Sequence, residues 1–426
     1  MCDTFVCPPH LSESGNWIFG KNSDREPNEI QLTHHYPARQ IPSGMQQCTF
    51  IEVQHTLQTF ATILSQPIGM WGAEMGVNEK GVTIGNEAVF SKFSLPKKDK
   101  GLTGMDMLRL ALESCDTAQK AVNKLIQLNE NYGQDANGGY QSKFYYHNSF
   151  LIADAEEAFV LETAGELWAL EKVKTYRAIS NGLSITNQYD DIHPKAIQFA
   201  INKSWIKKDE EFNFSKAFSA YWMPKLANCQ LRKNLVESHQ KVKFTISDAF
   251  KTLRSHDIEE EFLPQNGSTA SVCMHASGLF CPQQTTASMV VEIRRNQAST
   301  IWLTGAPSPC MSIFTPFYFD SSDIISQYYK EDAHWKSWSQ WQRKAMHDYS
   351  AASSQLENLR NEKELSWVKR DQQAIKQNDI QLLHSLSEEA LQKSDRTIKA
   401  LSDITYSKKS SLLFRLFWKK QALTFQ

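Results

Sequence analysis

The chain has no apolar run near the roughly 18 residues that a membrane-spanning helix needs. It also lacks an excess of charge of either sign: 46 basic side chains face 47 acidic ones, a formal charge of −1. Nothing in that balance draws the whole molecule to nucleic acid or anionic lipid, so no nucleic-acid partner is expected. The opening Met1-Cys2-Asp3-Thr4-Phe5-Val6-Cys7-Pro8-Pro9 has no basic segment and no long apolar segment, so it does not read as a signal peptide. Acidic Asp3, and the absence of arginine before Arg25, argue against a transit peptide. Cysteine is sparse, with 8 in 426 residues, and no CxxC occurs. Scattered thiols without a secretion signal point to reduced cysteines and a cytoplasmic location. Cys273 and Cys281 stand eight apart, which matches no familiar zinc spacing. His34 and His35, adjacent in an extended segment, would point to opposite faces. No metal and no cofactor are expected. No internal repeat is visible.

What is present is ordinary for a globular chain: 41% apolar and 22% charged residues, in a length that suits one or two domains. The first part reads as strands: Cys2–Cys7, then Trp17–Gly20, Gln47–Val53, Thr59–Leu64 and Gly81–Asn86. The apolar period then changes. Met105, Leu108 and Leu112 suit one amphipathic helix, and Ala118, Ala121, Val122 and Leu125 suit a second. A hairpin is expected at Ser149–Asp154 and Ala158–Thr163, extended by Leu167–Val173 and Tyr176–Thr186. Helices are expected near His193–Asn202 and Ser247–His256. Strands return at Ser271–His275, Thr286–Arg294 and Ser299–Thr304. This order is α+β with large antiparallel sheets, not regular βαβ alternation. Residues 331–405 lack Gly and Pro altogether and space Leu356, Leu359, Leu383, Leu386 and Leu391 at helical steps. The expected division is a catalytic domain over 2–330 and a helical extension over 331–426.

A cysteine directly after the initiator methionine carries the chemistry. Removal of Met1 leaves one residue with a thiol and a free α-amine. That amine has an ordinary pKa of roughly 7.7–8, so it can take the thiol proton near neutral pH. The bland alternative is a buried strand cysteine. In a hairpin with Cys2–Cys7, the end of Gly20-Lys21-Asn22-Ser23-Asp24-Arg25 returns toward Cys2. A carboxylate there can hold the amine, and a cation can orient substrate or favour thiolate.

These residues, with Trp71-Gly72-Ala73-Glu74-Met75-Gly76-Val77-Asn78, Gly85-Asn86-Glu87-Ala88, Ser184-Ile185-Thr186-Asn187 and Ser271-Val272-Cys273-Met274-His275, resemble the secernin family over about residues 2–320. Secernins group with a bacterial dipeptidase family and share the Ntn-hydrolase fold of the bile-salt and penicillin V amidases. The resemblance implies a four-layer αββα core with Cys2 as nucleophile and Asp24 as the carboxylate that positions the α-amine. It further implies Asn86 and Asn187 as the polar groups that meet the oxyanion and hold the amine. Lys21, Arg25 and Trp71 are taken as substrate-facing, although Trp71 and His275 suit core positions at least as well. The amidases carry Arg where this chain has Lys21. For their late catalytic Arg, the candidate counterparts here are Ser288 and Arg294.

The implied activity is thioester-mediated hydrolysis of small amides, most plausibly dipeptides, by a cysteine-type dipeptidase. Two alternatives stay open: a non-hydrolytic binding or trafficking protein on the same fold, and a membrane-surface adaptor. The adaptor rests on residues 407–426, where Lys408, Lys409, Arg415, Lys419 and Lys420 flank Leu412, Leu413, Leu416, Phe417 and Leu423, with Phe414 and Trp418 widening that apolar face. Docking of this helix on its own core, or in a homo-oligomer, is the favoured reading.

Overall fold

The computed structural model describes residues 1–258, 262–319, 324–325 and 332–423. The chain begins with a hairpin of β1 (Cys2–Cys7) and β2 (Trp17–Arg25). Next come β3 (Gln31–Tyr36), β4 (Met45–Gln47), β5 (Glu52–Gln54), β6 (Thr62–Pro67), β7 (Met75–Asn78) and β8 (Thr83–Val89). Two helices follow, α1 (Gly104–Ser114) and α2 (Ala118–Tyr132), then β9 (His147–Ala153), β10 (Ala158–Ala164), β11 (Leu167–Lys172), β12 (Arg177–Ile179) and β13 (Asp191–Ile192). Five shorter helices precede the last strands: α3 (Ala196–Asn202), α4 (Phe214–Phe218), α5 (Met223–Leu226), α6 (Cys229–Ser238) and α7 (Ile246–Arg254). β14 (Gln284–Ile293), β15 (Thr300–Leu303) and β16 (Thr315–Phe317) complete the sheets. The extension holds α8 (Ala333–Ala345), α9 (Tyr349–Gln377), α10 (Ile380–Ser402) and α11 (Leu412–Leu423).

Two antiparallel sheets result. One has six strands in the order β12-β1-β2-β14-β15-β16; the other has eight, β13-β11-β10-β9-β8-β7-β6-β3. Strand alternation decides what faces what. Val6, Phe19, Met289 and Val291 of the first sheet share a dry layer with Met75, Val77, Leu151 and Val160 of the second. Their neighbours Phe5, Cys7, Ile18 and Val290 turn outward onto α7, α8, α9 and α10. On the far side, Ile84, Phe150 and Leu161 pack against Leu108, Leu112, Val122 and Leu125 of α1 and α2. The layers therefore run αββα, the order that the family resemblance implies. Each large apolar side chain buried this way contributes about 1.5–3 kcal/mol relative to exposure.

Local signals account for the helix starts. Thr103 caps α1 and Thr245 caps α7, each in a reciprocal capping box with the Asp three residues on. Three expectations are corrected. Gln47–Val53 is not one strand but spans the turn that joins β4 to β5 in a hairpin. Residues Ser271–His275 form no strand, and Tyr176–Thr186 yields only β12, which joins the first sheet rather than extending the second. The helices after residue 332 share one apolar core with the first sheet, through Trp338, Trp341, Leu356, Trp367 and Leu386. No helix among the described residues is long and apolar enough to cross a membrane.

Candidate active site

The β1–β2 register pairs Cys2 with Ser23, Asp3 with Asn22 and Thr4 with Lys21. Cross-strand partners share a face, so Thr4 and Lys21 both point between the sheets. There they meet Glu87 of β8: Lys21 Nζ donates to Glu87 Oε1 at 3.0 Å and to the Asn86 carbonyl at 2.7 Å, and the Thr4 hydroxyl also donates to Glu87. Burial pushes the Glu87 pKa up to about 7, against the pull of Lys21. Burial alone would lower Lys21, but Cys2, Glu87 and Glu74 raise it, and the net direction is up.

Cys2 is 4% exposed. The Asp24 amide N–H donates to its Sγ at 3.4 Å, and Glu74 Oε2 stands 3.8 Å from the sulfur. Burial pushes the thiol pKa up to about 12; the Lys21 charge opposes this and Glu74 adds to it. The backbone nitrogen of Cys2 donates to Asn181 Oδ1 at 2.7 Å. Met1 covers this nitrogen, and its ammonium donates to the Asp24 carbonyl at 2.9 Å and to Gln283 Oε1 at 2.6 Å.

Asp24 is held from β14. A bulge between Thr285 and Ala287 re-aims Thr285, whose hydroxyl donates to Asp24 Oδ1 at 2.6 Å. Asp24 Oδ2 has no hydrogen bond among the described residues and lies 3.7 Å from Arg232. Burial pushes the Asp24 pKa up to about 6, with the N-terminal charge and Arg232 pulling it down. Arg232, on α6, is wholly buried and joins the parts: it donates to Asp3 Oδ2 at 2.7 Å, to Asn181 Oδ1 at 2.7 Å and to the Cys2 carbonyl at 3.1 Å.

The structure thus brings Cys2, Lys21, Asp24 and Asn86 into one neighbourhood. Asn86 lies there through its backbone, which donates to the carbonyl of Glu74 at 3.2 Å; its side-chain Nδ2 donates to Asn148 Oδ1 at 3.0 Å. Asn187 is a correction. It is exposed and donates to Glu211. Asn181 takes the place beside the Cys2 nitrogen, because β12 pairs with β1 and the chain has run only two residues past Ile179. Arg25 is engaged internally, with Glu74 at 2.9 Å, with Glu29, and with the Gly138 carbonyl at 2.8 Å. It braces the carboxylate beside the thiol rather than presenting itself to a ligand. Trp71 stacks under Arg109, whose guanidinium carbon is 4.3 Å from the ring centroid, at the edge of the α1–α2 layer. Ser288 bonds Asn22, and Arg294 pairs with Glu292 and Asp371. Arg232, rather than either of these, donates to the Cys2 carbonyl. Sequence reasoning missed Asn181, Glu74 and Arg232. The place of Asn181 follows from the pairing of β12 with β1, which the sequence did not signal.

A family model described as acyl-coenzyme A:6-aminopenicillanic acid acyl-transferase matches residues 11–296, more than half of the chain. The chain belongs to this acyl-transferase family. Residues 11–296 span β2, Lys21, Asp24, Asn86, Asn181 and Arg232, so the family match takes in most of the groups around Cys2. Solved structures similar to this chain include a mutant conjugated bile acid hydrolase from Clostridium perfringens, at 9% identity and TM-score 0.41, covering 75% of this chain and 93% of that one. Penicillin V acylase from Agrobacterium tumefaciens gives 13% identity and TM-score 0.41, covering 75% and 86%. The Caenorhabditis elegans ortholog of N-acylethanolamine-hydrolyzing acid amidase gives 11% and 0.37, covering 68% and 92%.

Proposed function

We propose that this member of the acyl-transferase family is an amide hydrolase of secernin type, that Met1 is removed, and that Cys2 is its nucleophile and amino terminus. The observation that carries the reading is the Cys2 nitrogen, 2.7 Å from Asn181 Oδ1 on the same residue whose thiol accepts from the Asp24 N–H. Loss of Met1 turns that nitrogen into an α-amine without moving it. Asn181 and the carboxylate of Asp24 then hold it.

A thiol pushed up to about 12 is almost wholly protonated at neutral pH. Its proton must therefore leave during attack, to a base within reach, and the α-amine of the same residue is that base. The sulfur bonds to the substrate carbonyl carbon while its proton passes to the amine. The oxyanion forms between the sheets, on the face that Cys2 shares with Thr4 and Lys21; the Asn86 side chain, bonded to Asn148 on the opposite face of β8, does not reach it. Collapse breaks the C–N bond. The leaving amine takes the proton from the α-ammonium, and the acyl group stays on sulfur as a thioester. Water, activated by the same amine, releases the acid and restores the thiol. The proposed substrates are small amides, dipeptides first.

The test joins intact mass with turnover on a dipeptide and acyl-amide panel. Expected are a mass beginning at Cys2, first alkylation at Cys2, and a loss of turnover on the order of 10⁴-fold or more in Cys2→Ala. Full activity in protein that retains Met1, or activity surviving complete alkylation of Cys2, overturns the reading.

A further inference from the structure

The outer face of the first sheet carries a second cluster that the hydrolase reading leaves unused. His256 follows the end of α7, Cys273 and His275 sit in the irregular segment before β14, and Cys310 lies in the tight turn Pro309–Met311. All four are buried, and one nitrogen or sulfur from each lies within 4.8 Å of the others. His275 Nε2 is 3.1 Å from Cys310 Sγ and 3.6 Å from Cys273 Sγ. Zn–S and Zn–N bonds of about 2.3 and 2.0–2.1 Å in a tetrahedron set ligand-to-ligand edges of about 3.4–3.8 Å. One of the His275 separations falls in that range and the other a few tenths of an ångström below it.

We propose that His256, Cys273, His275 and Cys310 bind one zinc ion. The donor set is two imidazoles and two thiols with no carboxylate among them, the composition that selects zinc over magnesium or calcium. Binding displaces the two thiol protons, so two thiolates neutralise the divalent ion and no net charge is buried. Four protein ligands fill the tetrahedron, which makes the site structural rather than catalytic. A cleft of about 1110 Å³, lined in part by His256, Cys310 and Tyr349, supplies a path for the ion. Cys281 is not a ligand: its thiol donates to the His275 carbonyl at 3.3 Å.

The position explains what the ion would hold. Residues 267–283 contain no strand or helix, yet they reach the active site. Thr285 N–H donates to the Met274 carbonyl at 3.0 Å, Met274 N–H donates to Thr285 Oγ1 at 3.0 Å, and that hydroxyl donates to Asp24. The Tyr349 hydroxyl donates to Cys310 Sγ at 3.6 Å, tying the helical extension to the same point. The ion would pin an irregular segment between the tail and Asp24.

The test uses the full chain, untagged, expressed with zinc and gel-filtered without chelator, with metal read by mass spectrometry. About one zinc per chain is expected, falling to under about a tenth in Cys310→Ser and His275→Ala and unchanged in Cys48→Ser, whose thiol belongs to the α1–α2 layer. Stripping and refilling the wild-type chain with Co²⁺ decides the matter even where those variants fail to fold. Tetrahedral visible bands with a thiolate-to-cobalt charge-transfer band support the site. A chain that binds neither zinc nor cobalt overturns it, as does a mass lowered by the hydrogens of a Cys273–Cys310 disulfide. Neither result depends on whether Cys2 is a nucleophile.

Discussion

Asp24 sits between two demands. Burial lifts its pKa to about 6, above the usual 3.8, so the folded chain takes up this proton more readily than the unfolded one. Its ionised form therefore costs stability, a cost absent below the usual value and complete above about 6. The α-amine, in contrast, needs the ionised form. Turnover is expected to fall as pH drops through about 6, in a kcat/KM profile over pH 4.5–9. Asp24→Asn should lose activity yet melt no lower than wild type at neutral pH. A variant with normal kinetics would return Asp24 to a purely structural place on β2. Asn181→Ala is expected to lower turnover with intact folding, while Asn187→Ala, at an exposed position, leaves kinetics unchanged.

At the scale of elements, the first turn of α1 packs against the Asn86–Asn148 pair. A Cβ on Gly104 would lie 1.9 Å from Asn148 Oδ1. Asn148 accepts from Asn86 and donates to Gln134, so it cannot move alone. Gly104→Ala is expected to lower the melting temperature; an unchanged melting curve would mean that Asn148 gives way without cost. The last helix shows a different selection from the one its sequence suggests. Phe414 and Trp418, one turn apart, are the residues α11 buries, with Trp418 also facing the Arg343 guanidinium. Leu412, Leu413, Leu416 and Leu423 are exposed. The helix packs on the core through Phe414 and Trp418, a face that the sequence reading gave second place. Deleting residues 407–426 should lower the melting temperature. Sedimentation of the intact chain alone with anionic liposomes, at equal melting temperatures, would instead favour the lipid surface.

Across the whole molecule, buried ion pairs join the extension to the first sheet. Arg294, the residue after β14, donates to Asp371 of α9 at 2.9 Å, and Asp371 also accepts from Thr300 at 2.7 Å and Tyr318 at 2.6 Å. Arg254 of α7 makes a two-pronged pair with Glu364, at 2.8 and 2.6 Å. Removing one partner leaves the other charge buried and uncompensated. Asp371→Ala is expected to destabilise by about 3–5 kcal/mol in chemical denaturation. A loss within 1 kcal/mol (about the worth of a surface pair) would mean that the extension contributes little to the core.

Some of this was decided in the sequence alone. The position of Cys2 after Met1, the hairpin that returns Lys21 and Asp24 to it, and the switch from strand to helix period before α1 are local facts. Period and turn chemistry express them within a few residues. The burial of α9 and α10 was half legible, as leucine spacing without a partner. What the tertiary structure decided was which distant group meets which. Asn181 rather than Asn187 reaches Cys2 because β12 pairs with β1. Arg232 arrives on a helix with no local mark. His256, Cys273, His275 and Cys310 converge although 54 positions separate the first from the last. Such meetings depend on sheet pairing and layer packing, and residue spacing does not encode either.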